Sequence, residues 1–154
     1  GLIIIELYQS KKELLAEQGF KLSYQLPEAA LPQIWGDSVL LLECLERLLL
    51  VGTRNCLDGD KEVLLLANGN SEEVSLGISF GCNIDGAVLD QVKRVLVSEN
   101  DMPELYSMPD YAPGMAIVSG YIKLHNGRIQ ITHQPGQYCN FTISLPVYQP
   151  QPSQ

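Results

Sequence analysis

The side chains that could do chemistry are few and scattered. Four cysteines stand at Cys44, Cys56, Cys82 and Cys139, with no CxxC pair among them. Neither His125 nor His133 completes a zinc pattern with them, so the sequence predicts buried or half-buried thiols in a reducing cytosol. His125 ends an apolar-periodic stretch, where the dipole of a helix C-terminus favours a partly charged imidazole. His133 falls in a short alternating segment and is expected at the surface. Asp37 precedes a long apolar run and is placed to accept backbone N–H groups at a helix start. Within that run Glu43 and Arg47 are four apart in the order that favours a helical ion pair. Arg47 is therefore either a partner for Glu43 or an anion ligand.

The bulk numbers bound what these residues can serve. The chain has 154 residues, enough for one domain that buries about two-thirds of its unfolded surface. Apolar residues make up 45%, and 18 Asp and Glu against 10 Lys and Arg give a net charge of −8. That balance argues against a nucleic-acid backbone or an anionic membrane as main partner, though one local pocket can still be positive. The apolar run 2–5 is too short for a signal core or a membrane span. A cytoplasmic domain with no direct membrane contact is expected, preceded by further chain upstream of Gly1.

Periodicity supplies the elements that must position these residues. Residues 2–18 read as a helix with Leu2, Ile5, Leu7, Leu14 and Leu15 on one face, ended by Gly19. Residues 20–26 alternate as a half-buried strand, and 38–51 form the most apolar helix of the chain. A turn-rich connection over 55–60 leads to strands at 62–67 and 74–80, joined through Asn68-Gly69-Asn70. A helix over 86–97, a polar loop over 98–113 and a helix over 114–125 closed by Asn126-Gly127 follow. Strands at 128–133 and 138–145 turn around Pro135-Gly136. Loops as long as 98–113 are uncommon inside a domain and often act as lids. The order predicts a two-layer α/β sandwich, a mixed sheet with helices on one face, over residues 1–147, with 148–154 as a flexible tail.

Several ordered fragments then resemble a known family. Gly114-Met115-Ala116-Ile117-Val118, Leu124-His125-Asn126-Gly127-Arg128-Ile129 and Phe141-Thr142-Ile143-Ser144-Leu145-Pro146 resemble the end of histidine-kinase ATP-binding domains. That family carries GLGLAIV, a helix ending in HGG, and a hairpin finishing F-x-F-x-LP. Upstream, 16–22, Leu31-Pro32 and Gly36-Asp37 look like its entry strand and the start of its N-box helix. The resemblance spans residues 2–147 and implies the Bergerat-type ATP-binding fold of the GHKL superfamily. No single motif is intact; order and spacing carry the likeness.

The resemblance also says where a nucleotide would lie. An N-box Asn holds Mg²⁺, an Asp in a DxGxG loop reads adenine, and a GxGLG turn opens a helix whose N–H groups meet phosphate. Counted from Asp37, the N-box Asn positions fall on Arg47 and Val51. Val51 cannot coordinate a metal, and Arg47 could bind phosphate without replacing the metal's role in transfer. The adenine-reading Asp falls on Cys82, the first loop glycine on Ile84, and Gly86 survives, with Asp85 a substitute acid if the register slips. At the phosphate turn the lost glycines fall on Asp110 and Ala112, and Pro113 removes an N–H before the retained Gly114. Gly86 and Gly114 read as remnants of the nucleotide loops or as backbone positions that need no side chain. Tyr106, Met108 and Tyr111 are expected to pack on the emptied cleft, and neither histidine has the flanks of a phosphoacceptor.

The resemblance thus implies a sensor-kinase-like domain with a degraded site and a regulatory or interaction role, without a resident cofactor. Its partner would be an upstream helical dimerisation or phosphoacceptor region, or another signalling protein. The alternatives are a divergent active autokinase that binds ATP and Mg²⁺, a non-kinase binder of the same superfamily, and an unrelated α/β domain.

Overall fold

A computed structural model describes residues 2–32, 34, 37–97, 112–134 and 137–147. The chain runs α1 (Leu2–Glu17), β1 (Lys21–Gln25), α2 (Ser38–Arg54), β2 (Cys56–Gly69), β3 (Glu73–Ile84), α3 (Gly86–Val97), α4 (Ala112–Leu124), β4 (Arg128–Gln134) and β5 (Tyr138–Pro146). Among the described residues five strands form one sheet in the order β1-β2-β3-β5-β4. β1 and β2 are parallel, which requires the crossover that α2 supplies, and every other pair is antiparallel.

Alternation along the strands puts the core on one face. Val63, Leu65 and Ala67 of β2, Val74, Leu76, Ile78 and Phe80 of β3, and Cys139, Phe141, Ile143 and Leu145 of β5 are all buried. Ser75, Ser79 and Thr142, between them, are only half-buried. Phe80 and Phe141 meet edge to face at 5.7 Å between ring centroids, at the middle of this layer. The helices bury Leu41, Leu45, Leu48 and Leu49 of α2, Leu89 and Val92 of α3, and Met115, Val118 and Ile122 of α4 against it. The architecture is the expected mixed sheet with helices on one face.

Local chemistry sets the helix ends. Asp37 Oδ1 accepts from Val39 N at 2.9 Å and Leu40 N at 3.3 Å, as its position predicts. α1 ends with Gly19 at φ 86°, while Phe20 N bonds Leu15 O at 2.8 Å and Gly19 N bonds Ala16 O at 3.0 Å. α4 ends the same way: Asn126 has φ 55°, Gly127 N donates to Ile122 O at 2.8 Å, and Asn126 N to Lys123 O at 3.3 Å. His125 stacks on Tyr121 and sets Nδ1 2.9 Å from the Tyr121 carbonyl, a structural place at the end of the helix.

Several expectations need correction. The inner face of α1 is Ile4, Leu7 and Leu15, whereas Leu2 and Leu14 are 77% and 44% exposed. Lys11 half-fills that stripe and sends its ammonium to Glu46 of α2 at 4.0 Å. Residues 55–60 are no mere connection, because β2 already begins at Cys56 and pairs with the end of β3 through two register shifts. The β2–β3 turn lies beyond Asn68-Gly69, because Asn70 Oδ1 accepts from Glu72 N at 2.8 Å and Glu73 N at 2.9 Å and closes it there. His133 is half-buried on the edge strand β4, opposite Cys139.

Candidate functional site

The second half of α2, the end of β3 and the first turns of α3 and α4 meet at one end of the helical layer. Asn55, the C-cap of α2, ties α2 to the entry of α3. Its Nδ2 donates to Val51 O at 2.8 Å, its N–H reaches Gly52 O at 3.3 Å, and its carbonyl accepts from Asp85 N at 3.2 Å. Every expected site position within the described residues lies on these elements; Asp110 and the loop side chains Tyr106, Met108 and Tyr111 lie outside the described residues.

Arg47 crosses from α2 to α4. Its Nη2 donates to Glu43 Oε1 at 2.7 Å and its Nε to the same oxygen at 3.3 Å. Its Nη1 lies only 2.8 Å from where a Cβ on Gly114 would stand, so the guanidinium rests against the bare Cα of that glycine. Of the two roles open to Arg47, the geometry is that of a partner for Glu43. It also gives Gly114 a packing reason to lack a side chain.

Val51 is buried at 4% exposure, and its carbonyl accepts from Asn55 Nδ2. Gly52 beside it takes the Phe80 ring directly over its Cα. No sequence motif marks that contact; the available signal is an isolated glycine inside an apolar helix, which points to a close approach.

Cys82, buried at 1% exposure, is joined to Cys56 in a disulfide. This corrects the expectation of four free thiols. Nothing in the spacing of Cys56 and Cys82 announces a pair; the antiparallel pairing of β2 with β3 brings their Cα atoms to 5.9 Å, within disulfide range. Cys44 and Cys139 are free and buried, and burial pushes both thiols up to about 11. At Cys44 the Glu43 carboxylate raises the value further and Arg47 opposes it; at Cys139 Lys93 opposes the rise.

Gly86 opens α3 with no atom within 4 Å of where a Cβ would stand, so neighbouring packing does not demand a glycine there. Asp85 Oδ1 accepts from Ala87 N at 3.0 Å, which commits its carboxylate to capping α3. α4 starts at Ala112, two residues before Gly114, so Pro113 lies in its first turn, where a missing N–H costs no intrahelical bond. No helix among the described residues is long and apolar enough to cross a membrane.

No family model matches the chain. Over 144 residues it is 22% identical to the adaptive-response sensory kinase SasA of Crocosphaera subtropica, an alignment that covers 93% of this chain and 37% of that protein. Among solved structures, full-length ShkA in complex with AMPPNP superposes with a TM-score of 0.71 at 17% identity, over 94% of this chain and 29% of that one. The Acinetobacter baumannii histidine kinase AdeS superposes with a TM-score of 0.66 at 16% identity, over 96% of this chain and 64% of that one. The chain therefore spans less than two-thirds of each of these relatives. The five-strand order, the helices on one face and these superpositions give one conclusion: the chain has the fold of a histidine kinase-like ATP-binding domain.

Proposed function

We propose that this chain is the ATP-binding-type domain of a two-component sensor-kinase-like protein, with a nucleotide cleft closed by its own side chains and a regulatory role. The observation that carries the reading is the Arg47 guanidinium, held by Glu43 and seated against Gly114 at 2.8 Å from its absent Cβ. In the family this helix start offers N–H groups to phosphate. Here a side chain already lies against it.

The other positions support the same reading. Buried Val51 offers no metal ligand, Cys82 is consumed in a disulfide, and Asp85 caps α3. This donor set does not fit Mg-ATP. The domain's work is then to dock, on an upstream helical dimerisation or phosphoacceptor region or on another signalling protein, without transferring phosphate itself.

Thermal denaturation with and without Mg-ATP tests this. A ligand at 100 times its Kd would add about 2.7 kcal/mol of stability. The expected outcome is no shift at millimolar Mg-ATP. A saturable rise in Tm would instead establish a divergent but working ATP site and overturn the closed-cleft reading.

A further inference from the structure

Of the four cysteines only Cys56 and Cys82 come together, and they do so where the sheet is least regular. Cys56 pairs with Ile84 and Cys82 with Gly59, so the two cysteines lie diagonally across the β2–β3 ladder. The ladder shifts register between Cys56 and Asp58 and again between Gly59 and Val63. Cys56 directly follows the α2 cap Asn55, and Cys82 precedes Asp85, the cap of α3. The bridge therefore staples the exit of α2 to the entry of α3, beside the Asn55–Asp85 backbone bond of 3.2 Å.

The two cysteines differ in burial. Cys56 is half-buried next to Leu57, which is 62% exposed, whereas Cys82 is 1% exposed. Cys44 and Cys139 are wholly buried. An incoming reagent thus meets Cys56 first, with Cys82 behind it as the resolving partner.

We propose that Cys56 and Cys82 form a reversible oxidative-modification site, closed by exchange with a glutathione-type low-molecular-weight disulfide. The Cys56 thiolate attacks one sulfur of that disulfide, forms a mixed disulfide and releases one glutathione thiolate. The Cys82 thiolate then attacks the Cys56 sulfur and releases the second. Two protein thiols are oxidised, one small disulfide is reduced to two thiols, and the two protein protons pass to the leaving thiolates. Closed, the bridge adds a covalent tie to the irregular start of β2; open, that segment loses this tie and keeps its pairing with β3. The inference stands whether or not the cleft binds nucleotide.

Equilibration of the chain across a range of reduced and oxidised glutathione, followed by thiol counting, peptide mapping and Tm, tests the proposal. Two thiols should disappear together as one couple, mapping to a Cys56–Cys82 cross-link, while Cys44 and Cys139 stay reduced. The oxidised form should melt on the order of 5–10 °C above the reduced form. Cys56→Ser, at the half-buried position, should abolish the difference and melt with the reduced chain, and it reports even if a change at buried Cys82 prevents folding. A stable glutathione adduct on Cys56 without closure, four thiols surviving the oxidised buffer, or equal Tm values in the two states would each overturn it.

Discussion

Gly52 sits inside α2 with the Phe80 ring directly over its Cα, and Phe80 is fully buried against Phe141. A methyl group there meets a ring that the surrounding core holds in place. Gly52→Ala should therefore destabilise the chain by about 1–3 kcal/mol, read as a lower denaturation midpoint in urea with an unchanged m-value. Gly114 makes the opposite case. Its close neighbour is Arg47 Nη1, the far end of a flexible side chain that is 35% exposed. A methyl group at Gly114 can push the guanidinium aside, so Gly114→Ala should cost less than Gly52→Ala in the same titration. Equal costs would mean that Glu43 holds Arg47 rigidly. Gly114 stands out in the sequence because a family motif marks it; Gly52 does not, since its need depends on a phenylalanine from another element.

The elements are bounded by short-range chemistry that the sequence displays openly. Asp37 places one carboxylate oxygen on two N–H groups of the first turn of α2, at 2.9 and 3.3 Å. Asp37→Ala should cost about 1 kcal/mol, since the cap is exposed and water replaces part of it. Asp37→Asn or Ser should recover most of that loss in thermal melts, and failure to recover would point to the charge instead of the hydrogen bonds. Gly19 and Asn126-Gly127 end their helices by the same backbone motif, and both stops are legible because a positive φ favours Gly or Asn. The start of β2 is not legible in this way. Residues 55–60 carry a turn-like composition, and only pairing with β3 at Cys56, Asp58 and Gly59 makes this segment strand.

At the scale of the whole molecule, burial leaves a signature in pH. Cys44 and Cys139 ionise at about 11 in the fold against an ordinary 9.0, and Tyr121 at about 12 against 10.0, in each case chiefly because burial disfavours the charged form. Raised acids contribute stability that is fully present below the unfolded value and disappears as pH climbs to the folded one. Tm should therefore hold to about pH 9 and fall between pH 9 and 12, the thiols acting up to about pH 11. The slope should be shallower in a Cys44→Ala, Cys139→Ala double variant; an identical slope would remove the thiols as its cause. The sequence by itself determined the helices, most strands, their caps and the two-layer class, because periodicity and capping act over a few residues. Spacing that resembles a family also singled out Arg47, Val51, Cys82, Gly86 and Gly114 as expected cleft positions. Only the tertiary structure decided that Arg47 rests on Gly114, that Phe80 covers Gly52 and that Cys56 meets Cys82. Each of those contacts joins residues far apart in the chain, and strand register and helix packing, which no local pattern encodes, bring them together.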